Sequence, residues 1–442
     1  MKLFPHQVEA LKATEGQNRV AYYLDMGLGK TFVGAEKMVR LEKKMNLVVC
    51  QKSKVQDWVD HFEKHYLVYV FDLTDKKGFE RFSNHIVLGT PVVAVINYDL
   101  LFRRKQLIQL KDFTLMLDES SMIQNRKAKR TSFILSMNPS NVILLSGTPT
   151  GGKYENLWSQ LHLLGWSISE DLYNKQYVNW KKIKVGGFVH KTVNKEDPYR
   201  NVERLKQKMR DHGAVFMKTD EVFDLPDQNF IQIDVPVTNE YKKFKRDRLI
   251  TIDTLNLHEF EDDSDFWGTD TTPRIELVGD SILSFRLYQR QLCSAYNPNK
   301  VQAFKDLLES TQDRLIVFYN FNCELDVLRH VCKSVERPYS MVNGSVKDLV
   351  AYEEESNSVT FVQYQAGAMG LNLQKANKIV YFSLTEESQL FEQSKKRIHR
   401  IGQNRPCFYY LLICKDSIED EEILPMLNVR KEYTDDLFEE TS

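Results

Sequence analysis

The chain is 442 residues long, which leaves room for two or three domains, and its 42% hydrophobic and 11% aromatic content suits a globular protein with packed cores. Lys and Arg number 60 against 61 Asp and Glu, so net charge does not announce a nucleic-acid binder, although local basic clusters stay open as partner surfaces. Six cysteines with no CxxC and no His-paired spacing exclude a zinc site, and no apolar run is long enough to span a bilayer; reduced thiols in a cytosol-like compartment are expected.

Phe4-Pro5-His6-Gln7 opens a helix, with Pro5 at an ordinary helix-start position. Gln7 fits two readings: an amide pairing with both donor and acceptor of an adenine edge, or a surface glutamine. Arg19 to Leu24 reads as a strand, Gly27-Leu28-Gly29-Lys30-Thr31 as a glycine-rich turn, and Phe32 to Val39 has helical spacing. Strand, turn and helix in that order make a phosphate cradle. The glycines let backbone N–H groups approach phosphate oxygens, and the helix start adds a favourable dipole. In such a cradle Lys30 reaches the β- and γ-phosphates and the Thr31 hydroxyl holds Mg²⁺. The stretch is GxGKT rather than the full consensus, because Leu24 stands where a further glycine is usual.

Asn46 to Cys50, Val92 to Ile96, Phe113 to Leu117 and Val142 to Leu145 are further strand patterns, with helical segments such as Val55 to Phe62 between them. That alternation predicts a parallel sheet, whose ligands bind at the carboxyl ends of the strands. Lys30, Lys52, Ser53 and Asn97 all fall just past strand ends, on one shared edge. Phe113 to Leu117 runs directly into Asp118-Glu119-Ser120-Ser121. Asp118 suits the Mg²⁺ that Thr31 also holds, and Glu119 suits orienting or deprotonating an attacking water. The alternative, a solvent-facing acidic turn, is weakened because the pair emerges from an apolar strand. Ser146-Gly147-Thr148-Pro149 is either a sensor of the γ-phosphate or simply a tight turn. Tyr154 to Leu164 reads as an amphipathic helix.

Ser169 to Asp211 is expected to be a largely helical insertion broken at Gly186-Gly187. Lys181, Lys182 and Lys184, interleaved with aromatics, fit either a nucleic-acid contact or the wet face of packed helices. Phe230 to Val235 alternates like a strand, Glu240 to Leu257 reads as helix, Glu259 to Thr272 as an exposed acidic loop, and Ile282 to Cys293 as helix. Strand–helix alternation restarts with Arg314 to Tyr319 and Asn322 to Lys333, then Val359 to Tyr364, Lys378 to Phe382 and a helix from Ser388 to Ile401. Arg397 and Arg400 are three apart and so share a face of that helix. Guanidinium groups there either neutralise charge on a γ-phosphate held by the first lobe, an effect on the order of 10³–10⁵ in rate, or belong to a basic surface helix with Lys395 and Lys396.

Together, DMGLGKT, LDES and LLSGTPTGG followed by ENLWSQLHLL resemble the boxes of helicase superfamily two, and most of all those of the Swi/Snf-type ATPases, which translocate on double-stranded DNA. QAGAMGLNL and QSKKRIHRIGQ resemble two further boxes of that family, and FPHQ its glutamine motif. Ala214 to Pro226 resembles its passage between lobes, and Lys415 to Phe438 its C-terminal brace. Departures are Ser120-Ser121 for Ala-His, Ala368 for Gly, and Gln363 and Tyr364 for small hydroxyl residues.

The resemblance implies an α/β fold of two RecA-like parallel-sheet lobes with helical insertions. Lobe one is expected over 1–213, with an insertion at about 167–212; lobe two over 214–442, with an insertion at about 237–297 and the brace at about 415–442. It assigns catalysis to Lys30, Glu119, Arg397 and Arg400. ATP is expected on Gln7, Gly27, Leu28, Gly29, Lys30, Thr31, Gly370 and Gln393, and Mg²⁺ on Thr31 and Asp118. Nucleic-acid contacts are placed at Lys52, Ser53, Asn97, Thr148 and Asn320. The expected function is an ATP-dependent motor that translocates on double-stranded or branched DNA and remodels DNA or protein–DNA complexes; the alternative is a strand-separating DNA or RNA helicase. A monomer is expected, targeted by a protein partner, in a bacterial or viral-host cytoplasm, or in the nucleus if eukaryotic.

Overall fold

In chain order, the strands of the N-terminal part are β1 (Arg19–Leu24), β2 (Met45–Cys50), β3 (Tyr69–Asp72), β4 (Val92–Asn97), β5 (Phe113–Asp118), β6 (Asn141–Leu145), β7 (Trp180–Val185), β8 (Phe188–Val193) and β9 (Ala214–Met217). The computed structural model describes residues 2–85, 90–185, 188–253, 274–367 and 371–439. The chain forms two units, Met1–Phe223 with Glu432–Ser442, and Asp224–Lys431.

The first unit is built on a seven-stranded sheet in the order β3-β4-β2-β5-β6-β1-β9, parallel at every pairing. Side chains alternate between its two faces, and both faces are apolar. Val20, Tyr22, Leu24, Val48, Val93, Val95, Ile143 and Leu145 fill one core. Ala21, Tyr23, Leu47, Ala94, Ile96, Leu115, Leu117 and Leu144 fill the other. A sheet buried on both faces needs unbroken Val/Ile/Leu runs, which is what the strands carry. Helices such as Lys30–Arg40 and Val55–His65 cover one face and Trp158–Leu163 the other.

Three expectations for this unit are corrected. The insertion after residue 167 is not largely helical. Between helices Glu170–Tyr177 and Val202–Asp211 lies an antiparallel ribbon, β7 with β8. The alternating Val, Ile, Phe and Thr of this stretch favour strand over helix. The boundary at 213/214 also moves. β9 pairs with β1 from Ala21↔Ala214 to Leu24↔Met217, so the first unit runs on to Phe223. Gly213 (φ +84°) allows that turn, because a Cβ there would lie 2.5 Å from the Arg19 carbonyl oxygen. The far end of the expected brace also belongs to this unit. In the C-terminal helix Leu424–Phe438, Tyr433, Leu437 and Phe438 pack into the first unit's core.

The second unit contains β10 (Gln228–Val235), β11 (Leu249–Asp253), β12 (Arg274–Val278), β13 (Leu315–Tyr319), β14 (Tyr339–Val342), β15 (Lys347–Asp348), β16 (Val359–Gln363), β17 (Lys378–Tyr381) and β18 (Cys407–Cys414). Its main sheet has the order β10-β18-β17-β13-β16-β14-β15, parallel except at β14–β15. The same alternation gives two apolar faces, with Ile316, Phe318, Ile379 and Tyr381 on one and Leu315, Val317, Tyr319 and Val380 on the other. The two RecA-like α/β lobes are therefore present.

Here the expected helix from Glu240 stops at Asp247. Arg248 takes a left-handed φ of 59° and its N–H bonds to the Phe244 carbonyl, after which Leu249–Asp253 pairs with β12. The insertion at about 237–297 is thus a helix, an antiparallel ribbon and the helix Ile282–Cys293. The expected acidic loop Glu259 to Thr272 lies outside the described residues. No helix among the described residues is long and apolar enough to cross a membrane.

Candidate nucleotide site

The glycine-rich turn sits at the carboxyl end of β1, which lies between β6 and the edge strand β9 of the first sheet. Gly27 (φ 94°) and Gly29 (φ 74°) both adopt the left-handed conformation, which glycine alone enters without a steric penalty. Gly29 caps the helix Lys30–Arg40, and a Cβ on it would lie 2.3 Å from Gln7 Nε2. Lys30 Nζ donates to the Leu24 carbonyl at 3.0 Å and stands over the turn. Thr31 follows on the first helical turn and is half-buried. Leu28 buries its side chain in the core, so its part in the turn is played by its backbone.

Gln7 is 3% exposed and braces this turn rather than lying on the surface. Its Oε1 accepts from the Phe4 N–H at 3.0 Å, and its Nε2 donates to the Leu28 carbonyl at 3.2 Å. An amide has a second donor hydrogen and a second acceptor lone pair, so adenine pairing remains chemically open to it. His6 Nε2 lies 3.0 Å from the same Leu28 carbonyl. Asp25, the first residue of the turn, receives the Thr219 hydroxyl at 2.9 Å on Oδ2, and its own backbone N–H bonds to Met217. The strand beyond residue 213 therefore holds the turn in place.

The acidic pair lies two strands away, at the end of β5. Trp58 Nε1 donates to Asp118 Oδ2 at 2.8 Å, which fixes the carboxylate plane. Burial pushes the Asp118 carboxyl upward, while the Trp58 N–H and the charges of Lys30 and Lys54 pull it back. Glu119 carries a left-handed φ of 52°, a strained setting for a residue with a side chain. Its backbone is gripped from both sides: Tyr98 OH reaches the Asp118 and Glu119 carbonyls at 2.9 and 3.4 Å, and the Met122 N–H bonds to Glu119. The strain turns the Glu119 side chain toward β6, where Ser146 Oγ lies 3.4 Å from Oε2.

The Ser146–Thr148 turn closes the group. A Cβ on Gly147 would fall 3.2 Å from Lys30 Nζ, so glycine there lets the turn approach the lysine. Ser120 Oγ donates to Gln160 Oε1 at 2.7 Å, and Gln160 Nε2 donates to the Pro149 carbonyl at 2.8 Å. The serine that stands where the family usually has alanine thus ties the acidic turn to the SGTP turn. One sheet edge gathers Lys30, Asp118, Glu119 and the Ser146–Thr148 turn. A Mg²⁺ ion bound with nucleotide takes one or two protein oxygens, with phosphate and water for the rest. Thr31 and the oriented Asp118 fit that requirement, and no cluster of three His, Cys, Asp or Glu ligands exists among the described residues.

In the second unit the expected helix to Ile401 ends at Lys395. In the segment that follows, two carbonyls are held from elsewhere: Leu373 N–H bonds to Arg397 O at 3.2 Å, and Gln403 Nε2 to Ile398 O at 3.3 Å. Arg397 and Arg400 therefore lie on a turn-rich segment, not on one helical face. Arg397 is 3% exposed; Arg400 is half-buried, and burial lowers its guanidinium from the ordinary value. Gln393 is half-buried on the preceding helix, and Gly370 lies outside the described residues.

The nucleic-acid candidates separate by exposure. Lys52 and Ser53 are exposed on the 3₁₀ turn after β2. Asn97 and Thr148 are buried at the ends of β4 and β6. Asn320 spends its amide donors on Ser383 Oγ at 2.8 Å and the Leu384 carbonyl at 3.2 Å. Trp58, Tyr98, Gln160 and Thr219 serve the site without having been singled out in the sequence. Each acts through a partner distant in the chain, and no local spacing signals it.

A family model described as the SNF2-related domain matches residues 23–297, and the helicase conserved C-terminal domain matches residues 299–402. This chain belongs to the SNF2-related family. The Swi/Snf-type ATPase resemblance of its boxes is thereby confirmed. Similar proteins include SWI/SNF-related matrix-associated actin-dependent regulator of chromatin subfamily A member 1 of Mus musculus, 24% identical over 90% of this chain and 39% of that protein. Another is an uncharacterized ATP-dependent helicase of Mycoplasma genitalium, 23% identical over 92% of this chain and 39% of that protein. This SNF2-related chain thus spans well under half the length of those relatives. Among solved structures, the Sulfolobus solfataricus SWI2/SNF2 ATPase core in complex with dsDNA aligns with a TM-score of 0.46 and 18% identity, over 98% of this chain and 92% of that chain.

Proposed function

We propose that this SNF2-related chain is an ATP-driven DNA motor that hydrolyses ATP to translocate on duplex DNA and remodel DNA or protein–DNA complexes. The observation that carries the reading is the convergence of Lys30, Asp118, Glu119 and the Gly147 turn on one sheet edge. The turn N–H groups and Lys30 bind the phosphates, and Thr31 and Asp118 would hold Mg²⁺, which supplies charge neutralisation at the β- and γ-phosphates. Glu119 orients the attacking water and takes its proton. Gln7, Gly370 and Gln393 are assigned to nucleotide binding, and Arg397 and Arg400 to charge on the γ-phosphate during transfer. Lys52 and Ser53 are the surface groups suited to DNA phosphate. Action as a monomer, directed by a protein partner in a cytoplasm or nucleus, completes the reading.

The test is the ATPase rate with no nucleic acid, single-stranded DNA, duplex DNA and RNA. Duplex DNA is expected to stimulate most; stimulation by RNA alone overturns the reading. Displacement of a third strand from a triplex supports translocation, whereas unwinding of a partial duplex assigns strand separation instead.

A further inference from the structure

Among the described residues, the ribbon of β7 and β8 pairs with no other strand. Its root is anchored: Trp180 and Val193 pack against the first unit's core, and the Asn194 N–H bonds to the Asn179 carbonyl at 2.8 Å. Beyond the root, Lys181, Lys182, Ile183 and Lys184 on one strand and Val189, His190 and Lys191 on the other are exposed. A two-stranded ribbon with neither face packed is marginal in water. This one also sets like charges against each other, because Lys182 pairs directly with Lys191. Opposed like charges in an antiparallel pair, with Cβ atoms about 4.5–5.5 Å apart, are destabilising. Lys191 Nζ lies 4.6 Å over the Trp180 ring, which shelters one cation and leaves Lys182 and Lys184 bare on that face. Residues 180–193 hold four lysines and no Asp or Glu, and none of those lysines is ion-paired among the described residues.

We propose that this ribbon is a DNA-contacting element that lays its lysines along the phosphates bordering a groove of the duplex. The proposal rests on the reading of the chain as a DNA motor. Six-residue strands at about 3.3 Å per residue give an arm of about 20 Å. The major groove of B-DNA, about 12 Å wide, admits a two-stranded ribbon. Phosphate oxygens spaced along such an arm neutralise the repulsion between Lys182 and Lys191, and release of counterions from the DNA drives the contact.

The experiment is fluorescence anisotropy of a labelled duplex against salt, paired with thermal unfolding. The variant Lys182→Gln/Lys184→Gln/Lys191→Gln is expected to weaken duplex binding by about tenfold or more at low salt and to lower the slope of log affinity against log salt by about 2–3. Lys182→Glu supplies the second arm. It replaces a repelling pair by an attractive one, so it should melt no lower than the wild type while still losing affinity. Affinity and salt slope equal to wild type in both variants overturn the proposal alone. Loss of affinity in step with a lower melting temperature in Lys182→Glu assigns the lysines to folding and also overturns it. A wild-type protein that does not bind duplex DNA overturns the motor reading, and this inference with it.

Discussion

Ser120 Oγ donates to Gln160 Oε1 at 2.7 Å, joining the acidic turn after β5 to the helix that follows the SGTP turn. Gln160 also accepts from Tyr23 OH at 3.0 Å and donates to the Pro149 carbonyl at 2.8 Å, all of it buried. Gln160→Leu keeps the volume and strands three buried polar partners, each costing about 1–3 kcal/mol. The variant should unfold several kcal/mol more easily in urea, whereas Ser120→Ala should cost about 1 kcal/mol. Equal losses would show that the network does not centre on Gln160.

Glu119→Gln retains the shape of the side chain and its left-handed backbone while removing the base. Nucleotide binding, followed by a fluorescent analogue, should persist, and turnover should fall by about 10²–10⁴. Turnover like that of the wild type would remove Glu119 from the chemistry.

Trp58→Phe deletes the N–H that orients Asp118, keeps an aromatic ring in the core and leaves a small cavity where the larger indole was buried. A hydrogen bond to a charged group contributes about 1.5–3 kcal/mol, and a loss of that size is expected in thermal unfolding. The Mg²⁺ concentration for half-maximal ATPase should rise. An unchanged Mg²⁺ requirement would show that Asp118 is held well enough without Trp58.

His61 is packed among Phe32, Trp58, His65 and Tyr66, and burial together with the neighbouring His65 depresses it from 6.5 to about 4. The unfolded chain therefore binds this proton more readily than the folded one. Stability from the neutral ring is complete above pH 6.5 and drains away as the pH falls toward 4, by on the order of 1–3 kcal/mol. His61→Leu should flatten urea-measured stability across that window; an undiminished slope would locate the effect in other groups.

Asp436 accepts from Lys206 Nζ at 2.6 Å and Tyr154 OH at 2.8 Å. Lys206 is 2% exposed, so Asp436→Ala leaves a largely desolvated ammonium with Glu203 alone. A loss of about 2 kcal/mol is expected in urea unfolding, less than for a fully buried pair because Asp436 is partly open to solvent. Stability matching the wild type would show that Glu203 suffices.

The parallel sheets were readable because strands buried on both faces must be almost wholly apolar, and Arg19–Leu24, Val92–Asn97 and Leu315–Tyr319 are. The glycine-rich turn and the acidic pair were readable because each follows such a strand directly. The sequence misled where the deciding partner was remote or the stop signal unusual. Arg248 ends its helix in a left-handed conformation that is ordinarily marked by glycine. The helix before Arg397 ends at Lys395, and Leu373 and Gln403 hold the Arg397 and Ile398 carbonyls beyond it, which no local pattern announces. Thr219 holds Asp25 across 194 positions, and Trp58 holds Asp118 across 60.

The return of Glu432–Ser442 to the first unit has a consequence for the birth of the protein. Lys206 meets Asp436 across 230 positions, so the first unit is completed only after the second has been translated. Until the turns that carry Tyr433, Leu437 and Phe438 leave the ribosome, their seats stand open to solvent, and Lys206 has only Glu203. Folding of the first unit is therefore timed by translation of the second, and a nascent chain stalled before residue 432 presents an unfinished core to chaperones and proteases.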